Sequence, residues 1–91
     1  MSGFLVEVSD EEIRRERQQA RVLRASQWWK RKRAVGLCHH CGGRFPPQDL
    51  TMDHLVPIIR GGKSTKGNLV PSCKTCNSAR KHSLPFEEAD E

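Results

Sequence analysis

The polar and apolar positions of the first third of the chain predict a helix. From Ile13 to about Val35 there is no Pro or Gly, and residues that favour helices dominate. Ser9 and Glu12 have the spacing of a capping box, so we expect the helix to begin there. Gly36 follows a cluster of basic residues and can end it. The pattern predicts one helix of about six turns.

Two stripes run along this predicted helix. Six side chains at alternating steps of three and four share one face: Arg14, Arg17, Arg21, Arg24, Trp28 and Arg31. A thinner stripe of Val22, Ala25 and Trp29 is the face expected to dock on the rest of the domain. The arginine face has two interpretations, contact with phosphates or an ordinary solvated surface.

The second half of the chain has a different texture. Residues 38–50 form a turn region rich in Gly and Pro. Apolar and β-branched residues predict a strand over 50–59 and a short one over 68–70, with a loop at 60–64 between them. Residues 74–82 have no helix breaker and predict a short helix. These elements predict an α+β fold with a long basic N-terminal helix.

The length of the chain limits its core. Ninety-one residues make one domain at most, with little apolar surface to bury, so a structural metal or disulfides are expected. The N-terminus has neither a signal-peptide pattern nor a membrane span, which predicts an intracellular, cytoplasmic protein. Because that compartment is reducing, paired cysteines there favour a zinc site over disulfides, and disulfides remain the alternative.

The charge is unevenly distributed. The net charge is +5, but residues 13–36 carry nine Lys and Arg against one acid, between acidic stretches at residues 1–12 and 83–91. No large hydrophobic stripe accompanies the basic segment. The pattern therefore favours nucleic acid as the partner over a membrane, with a merely soluble basic surface as the alternative.

Two CxxC pairs supply the strongest chemical signal. Cys38 and Cys41 form one pair and Cys73 and Cys76 the other, which predicts one tetrahedral zinc with four thiolate ligands. Such a site has no open position, so it serves folding rather than catalysis. His39 and His40 lie within the first pair and are alternative ligands.

The segment from residue 50 to residue 81, LTMDHLVPIIRGGKSTKGNLVPSCKTCNSARK, carries several features in a fixed order. Asp53 and His54 are adjacent, a Gly-Gly loop follows, Asn68 comes next, and Asn77 follows the second cysteine pair. Together they resemble the signature of the HNH endonucleases. The resemblance covers residues 38–82 and implies a small zinc-stabilised ββα-metal fold.

The same resemblance implies roles for the four residues. Asp53 and Asn77 would hold a catalytic divalent cation, His54 would be the general base, and Asn68 would orient its ring. The last position is Asn77 rather than His, which favours a hard cation such as Mg²⁺, or another such as Mn²⁺. An Asn at a loop exit is also a common turn residue, and this is the alternative for Asn68.

Two points of physical chemistry qualify these roles. Neighbouring side chains on a strand point to opposite sides, so Asp53 and His54 can serve one site only if the strand is distorted or the site straddles its end. Basic residues flank the motif and could hold phosphates, as could the arginine face of the helix. The flanking set is Lys63, Lys66, Lys74, Arg80 and Lys81, and plain surface charge is its alternative.

The sequence thus predicts a metal-dependent DNA endonuclease that nicks DNA with low sequence specificity, as a monomer or weak dimer. The alternative is a non-catalytic, zinc-bound module that only binds nucleic acid. We divide the chain into an acidic tip and basic helix (1–36), the nuclease core with its zinc knuckles (37–83) and an acidic tail (84–91).

Overall fold

The structure is a computed structural model that describes residues 8–80. Its helices and strands are α1 (Asp10–Arg24), α2 (Gln27–Ala34), β1 (Leu50–His54), β2 (Leu69–Cys73) and α3 (Lys74–Arg80). The two strands form one antiparallel sheet. Its register runs from Leu50 opposite Cys73 to His54 opposite Leu69. The predicted α+β class is confirmed. Residues 1–7 and 81–91 lie outside the described residues, and with them the predicted acidic tail at 84–91. Of the first acidic stretch, Asp10, Glu11 and Glu12 lie in the first turn of α1.

The first helix begins as the sequence predicts. Ser9 Oγ accepts from the backbone N–H of Glu12 at 3.1 Å, and the Glu12 carboxylate accepts from the Ser9 N–H at 3.1 Å. This reciprocal pair satisfies amide groups that have no partner inside the helix. Within residues 8–80, no helix is long and apolar enough to cross a lipid bilayer.

The prediction of a single six-turn helix is wrong, because the chain breaks into two helices at Ser26. Ser26 has extended backbone angles, and its hydroxyl accepts from the N–H of Trp29 at 3.3 Å. The same hydroxyl donates to the carbonyl of Leu23 at 2.5 Å. A serine can offer the backbone these bonds in place of helical ones, so it ends α1 and caps α2.

The break also changes which faces are buried. Trp29 is buried in the core as predicted, at 1 % exposure, but Val22 is 55 % exposed and Ala25 is also exposed. The buried residue of α1 is instead Ala20. Trp28 and Arg31 lie on α2, so they do not continue the arginine face of α1.

The strands differ from their predicted bounds. β1 ends at His54, and the residues expected to extend it turn away, with a 3₁₀ turn at Ile58–Arg60. β2 begins at Leu69 and continues through Pro71 to Cys73. Pro71 is tolerated because β2 is an edge strand of the sheet formed within residues 8–80. Its carbonyl accepts from the N–H of His39 at 2.8 Å, which ties the first cysteine pair to β2.

The loop after β1 folds back on itself through two glycines. Gly61 has a φ of 93°, in the left-handed region. At Gly62 a Cβ would lie 1.7 Å from the carbonyl oxygen of Val56, so no other residue fits without moving the backbone. This tight return brings Ser64 back toward the end of β1.

Candidate functional site

The four cysteines form one cluster. The Sγ atoms of Cys38, Cys41, Cys73 and Cys76 all lie within 4.8 Å of one another. Zinc–sulfur bonds of about 2.3 Å in a tetrahedron place sulfurs roughly 3.8 Å apart, which this spacing accommodates. All four are free thiols, so the disulfide alternative does not describe them. The cluster fits a structural zinc.

The electrostatics of the cluster also favour a cation. Burial opposes ionisation of the Cys38 thiol, but backbone amides, among them the N–H of Cys73 at 3.4 Å, lower its pKa to about 6. Burial, together with the neighbouring thiols, raises the pKa of Cys76 to about 12. Four thiolates this close repel one another, and a bound dication removes that repulsion.

Neither histidine of the first cysteine pair belongs to the cluster of ligand atoms. His39 is exposed and meets the ring of His40 edge-on, with 5.1 Å between centroids. His40 faces Asp53 instead, and its Nε2 lies 2.8 Å from Oδ2 of Asp53. His40 therefore links the cysteine cluster to a second site.

That second site is a cavity of about 230 Å³ at the end of β1. Its lining residues are Arg17, Met52, Asp53, His54, Pro57, Ile58, Ile59 and Asn77. Three of the residues picked from the motif, Asp53, His54 and Asn77, thus lie on one cavity. His54 is the last residue of β1 and the chain bends after it, so the site straddles the strand end.

Asp53 is buried and held on one of its two oxygens. Arg80 Nη1 donates to Oδ2 at 2.6 Å, and His40 Nε2 meets the same oxygen at 2.8 Å. Both of these contacts fall on Oδ2. The prediction that Arg80 holds phosphate is wrong, because its guanidinium is buried against this carboxylate.

Asn77 is oriented by Thr51. The Thr51 hydroxyl donates its one proton to the carbonyl of Ser72 at 3.0 Å. It must therefore accept from Asn77, whose Nδ2 lies 2.9 Å away. The bond therefore assigns the nitrogen and the oxygen of the Asn77 amide, whose orientation is inferred from hydrogen-bond partners. The carbonyl oxygen of Asn77, an oxygen ligand suited to a hard cation, is the end turned away from Thr51.

His54 is half-buried, and its Nε2 lies 2.9 Å from the hydroxyl of Ser64. Burial lowers the pKa of His54, although the carboxylates of Asp53 and Glu16 pull it the other way. The ring is therefore more readily neutral than an exposed histidine, as a proton acceptor near pH 7 has to be.

Asn68 does not orient that ring, which corrects the role inferred for it. Its Oδ1 accepts from the N–H of Val56 at 2.9 Å, and its Nδ2 donates to the carbonyls of Val56 and Lys63 at 3.0 and 2.8 Å. Asn68 closes the loop between the strands, as the alternative turn interpretation supposed. The residue at the ring is Ser64, which the sequence analysis missed.

The residues predicted to contact phosphate lie in different surroundings. Arg17 lines the cavity, whereas Arg14, Arg21 and Arg24 are exposed along α1. Lys63 Nζ lies 4.0 Å from carboxylates of Glu12 and Glu16, and Lys66 Nζ lies 5.7 Å from the centre of the Trp28 ring. Lys81 lies outside the described residues.

Comparison with known proteins agrees with this geometry. A family model described as HNH endonuclease matches residues 38–83, just over half of the chain. A comparison with curated proteins gave no match. The match includes both cysteine pairs and the Asp53, His54 and Asn77 set, and it indicates a nuclease or nucleic-acid-binding function. The chain therefore belongs to the HNH endonuclease family.

Proposed function

We propose that this protein is a metal-dependent DNA endonuclease that nicks DNA with low sequence specificity. The observation that carries the proposal is the meeting of Asp53, His54 and Asn77 on one cavity. A carboxylate, an imidazole and an amide oxygen are the groups that hydrolysis of a phosphodiester with one metal ion requires. A module that only binds nucleic acid has no need of a base beside a carboxylate.

Asp53 and Asn77 would hold the divalent cation. Oδ1 of Asp53 and the carbonyl oxygen of Asn77 are hard ligands, so Mg²⁺ or Mn²⁺ suits them better than a thiophilic metal. When bound, the cation offsets negative charge that develops on the phosphate and the leaving oxygen. The contacts from His40, Arg80 and Thr51 hold both side chains in place before any cation arrives.

His54 would act as the general base. Its neutral ring takes a proton from water as the water oxygen bonds to phosphorus, and the bond from phosphorus to the 3′ oxygen breaks. The 3′ oxygen then gains a proton from solvent. The products are a 5′-phosphate and a 3′-hydroxyl. One such site cuts one strand, so a monomer or weak dimer would nick.

Nicking of supercoiled plasmid tests this function. With the zinc-loaded protein and Mg²⁺ or Mn²⁺, we expect conversion of supercoiled DNA to open circles, measured on an agarose gel. EDTA added briefly should stop the reaction, and restored Mg²⁺ should resume it. Plasmid that is bound but never nicked, with either cation, would instead support the non-catalytic binding module.

One observation favours that second candidate. Arg80 and His40 already occupy one oxygen of Asp53, and a guanidinium 2.6 Å from a carboxylate competes with a cation for its charge. A protein in which this pair replaced the metal would keep the basic surface and the zinc, yet lack cleavage. The plasmid assay separates the two candidates because only the endonuclease changes the DNA.

We propose that the exposed cations of α1 and of the loop contact DNA phosphates. The set is Arg14, Arg17, Arg21, Arg24, Lys63 and Lys66. Within it Arg17 stands apart because it also lines the cavity.

Arg17→Ala should weaken DNA binding for every sequence tested. Loss of one phosphate contact should flatten the slope of log affinity against log salt by about 0.9. Arg15→Ala is the matched control, because Arg15 is exposed on α1 but does not line the cavity. Fluorescence anisotropy over a salt series measures the DNA affinity of each variant and the slope of that affinity with salt. An affinity and a salt slope for Arg17→Ala equal to those of the wild type would make this face an ordinary solvated surface.

A further inference from the structure

Ser64 is a buried residue of the loop after β1, and α1 holds it at two points. Its backbone N–H donates to the Glu16 carboxylate at 2.6 Å. Its hydroxyl lies 2.6 Å from the backbone carbonyl oxygen of the same Glu16. The hydroxyl also lies 2.9 Å from Nε2 of His54. One side chain therefore joins the N-terminal helix to the proposed base.

The number of protons decides the direction of these bonds. A serine hydroxyl has one proton to donate and lone pairs to accept with, and a carbonyl oxygen can only accept. The Ser64 proton must therefore point to the Glu16 carbonyl. Toward His54 the hydroxyl can then only accept, so Nε2 of His54 carries a proton. In the neutral ring, the free lone pair is on Nδ1.

We propose that Ser64 and Glu16 are positioning residues that fix His54 in the tautomer whose Nδ1 is basic. The inference rests on the proposed function, because the tautomer matters for rate only if His54 is the base. It makes α1 part of the active site, although α1 lies outside the family match at residues 38–83. The neighbouring residue on α1, Arg17, lines the same cavity.

The geometry explains why a helix carbonyl is suited to this role. The carbonyl of Glu16 belongs to the backbone of α1, so it cannot rotate away as a side-chain acceptor could. The Glu16 carboxylate fixes the Ser64 backbone at the same time. Without the hydroxyl, Nε2 loses the acceptor that fixes its proton, and either tautomer of His54 becomes accessible.

Nitrogen NMR of the zinc-loaded protein, with ¹⁵N-labelled histidine, tests the tautomer directly. At a pH where the His54 ring is neutral, we expect the proton on Nε2 and not on Nδ1. Comparison with His54→Ala assigns the signals. Ser64→Ala should shift the ring toward a mixture of tautomers. It should also lower kcat for plasmid nicking on the order of 10- to 100-fold, with KM for DNA little changed.

Thr65→Ala is the matched control, because it removes an exposed hydroxyl from the next residue of the loop. It should leave both tautomer and kcat as in the wild type. Ser64→Thr keeps the hydroxyl and should restore most of the rate. Glu16→Gln keeps an oxygen for the Ser64 N–H, so it should retain more of the rate than Glu16→Ala, which removes that acceptor.

A proton on Nδ1 in the wild-type ring would overturn the proposal. So would a Ser64→Ala protein that retains the Nε2 proton and the wild-type kcat. If Ser64→Ala loses its zinc or its fold, the wild-type spectrum and the Ser64→Thr rate still decide the question. A wild type with the expected tautomer that never nicks DNA would refute the endonuclease function while leaving the tautomer assignment intact.

Discussion

His54→Ala should abolish most plasmid nicking, with a fall in rate on the order of 10² to 10⁴-fold, the usual contribution of a positioned general base. Zinc content, thermal stability and DNA affinity should stay close to wild type, because His54 is only half-buried and is not a cysteine-site ligand. His39→Ala is the matched control. His39 is exposed and does not line the cavity, so its loss should leave the rate close to that of the wild type.

The response of activity to added divalent cation distinguishes His54→Ala from variants of the proposed cation ligands. Asp53→Ala and Asn77→Ala each remove an oxygen ligand, so their activity should return in part at high Mg²⁺ or with Mn²⁺, which tolerates a poorer ligand set. No cation should rescue His54→Ala, because that protein lacks a proton acceptor. Wild-type cleavage by His54→Ala would place the base elsewhere. His82, outside the described residues, would be tested next.

Cys73→Ser should unfold the domain rather than only lower the rate of cleavage. Cys73 is buried where β2 meets α3, and its sulfur accepts from the N–H of Cys76 at 3.4 Å. In zinc-finger peptides the bound zinc contributes about 10–16 kcal/mol of apparent binding free energy, which is also folding free energy. A core this small has little to replace it. Circular dichroism should show loss of the cooperative transition, and metal analysis loss of zinc.

The control for this variant is Thr75→Ala, an exposed residue between the two cysteines of the second pair. It should retain one zinc per chain and melt near the wild-type temperature. Two results for the wild-type protein would together contradict the structural role of the cysteine cluster. The purified protein would be folded but contain no zinc, and its melting temperature would be the same in buffer with and without a chelator. A Cys73→Ser protein that melts like the wild type would also contradict that role.

The features predicted correctly depend on short spacings along the chain. The capping box of Ser9 and Glu12 needs only three residues, and each CxxC pair places two thiols on one turn. The neighbours Asp53 and His54 come together with Asn77 because a hairpin followed at once by a helix leaves few other arrangements. Local patterns of this kind survive folding almost unchanged, so the family, the fold class and the cysteine cluster could be inferred from sequence.

Other features required contacts between residues distant along the chain. Arg80 resembled a solvent-facing charge one turn after Asn77, yet it is buried against Asp53, 27 positions earlier in the chain. Asn68 closes a loop instead of orienting His54, because its side-chain amide bonds the backbone of Val56 and Lys63. Even the helix break at Ser26 depends on which bonds its hydroxyl makes, and helix propensity does not settle that.

The sequence by itself determined the ligand types and the proposed chemistry, because those reside in residue identity and in spacing within one element. Only the tertiary structure decided how each of those groups is oriented. Ser64 and Glu16 are 48 positions apart, and no pattern along the chain pairs them. The direction of a single hydroxyl proton depends on which acceptors surround it, and that is known only once α1 lies against the loop that follows β1.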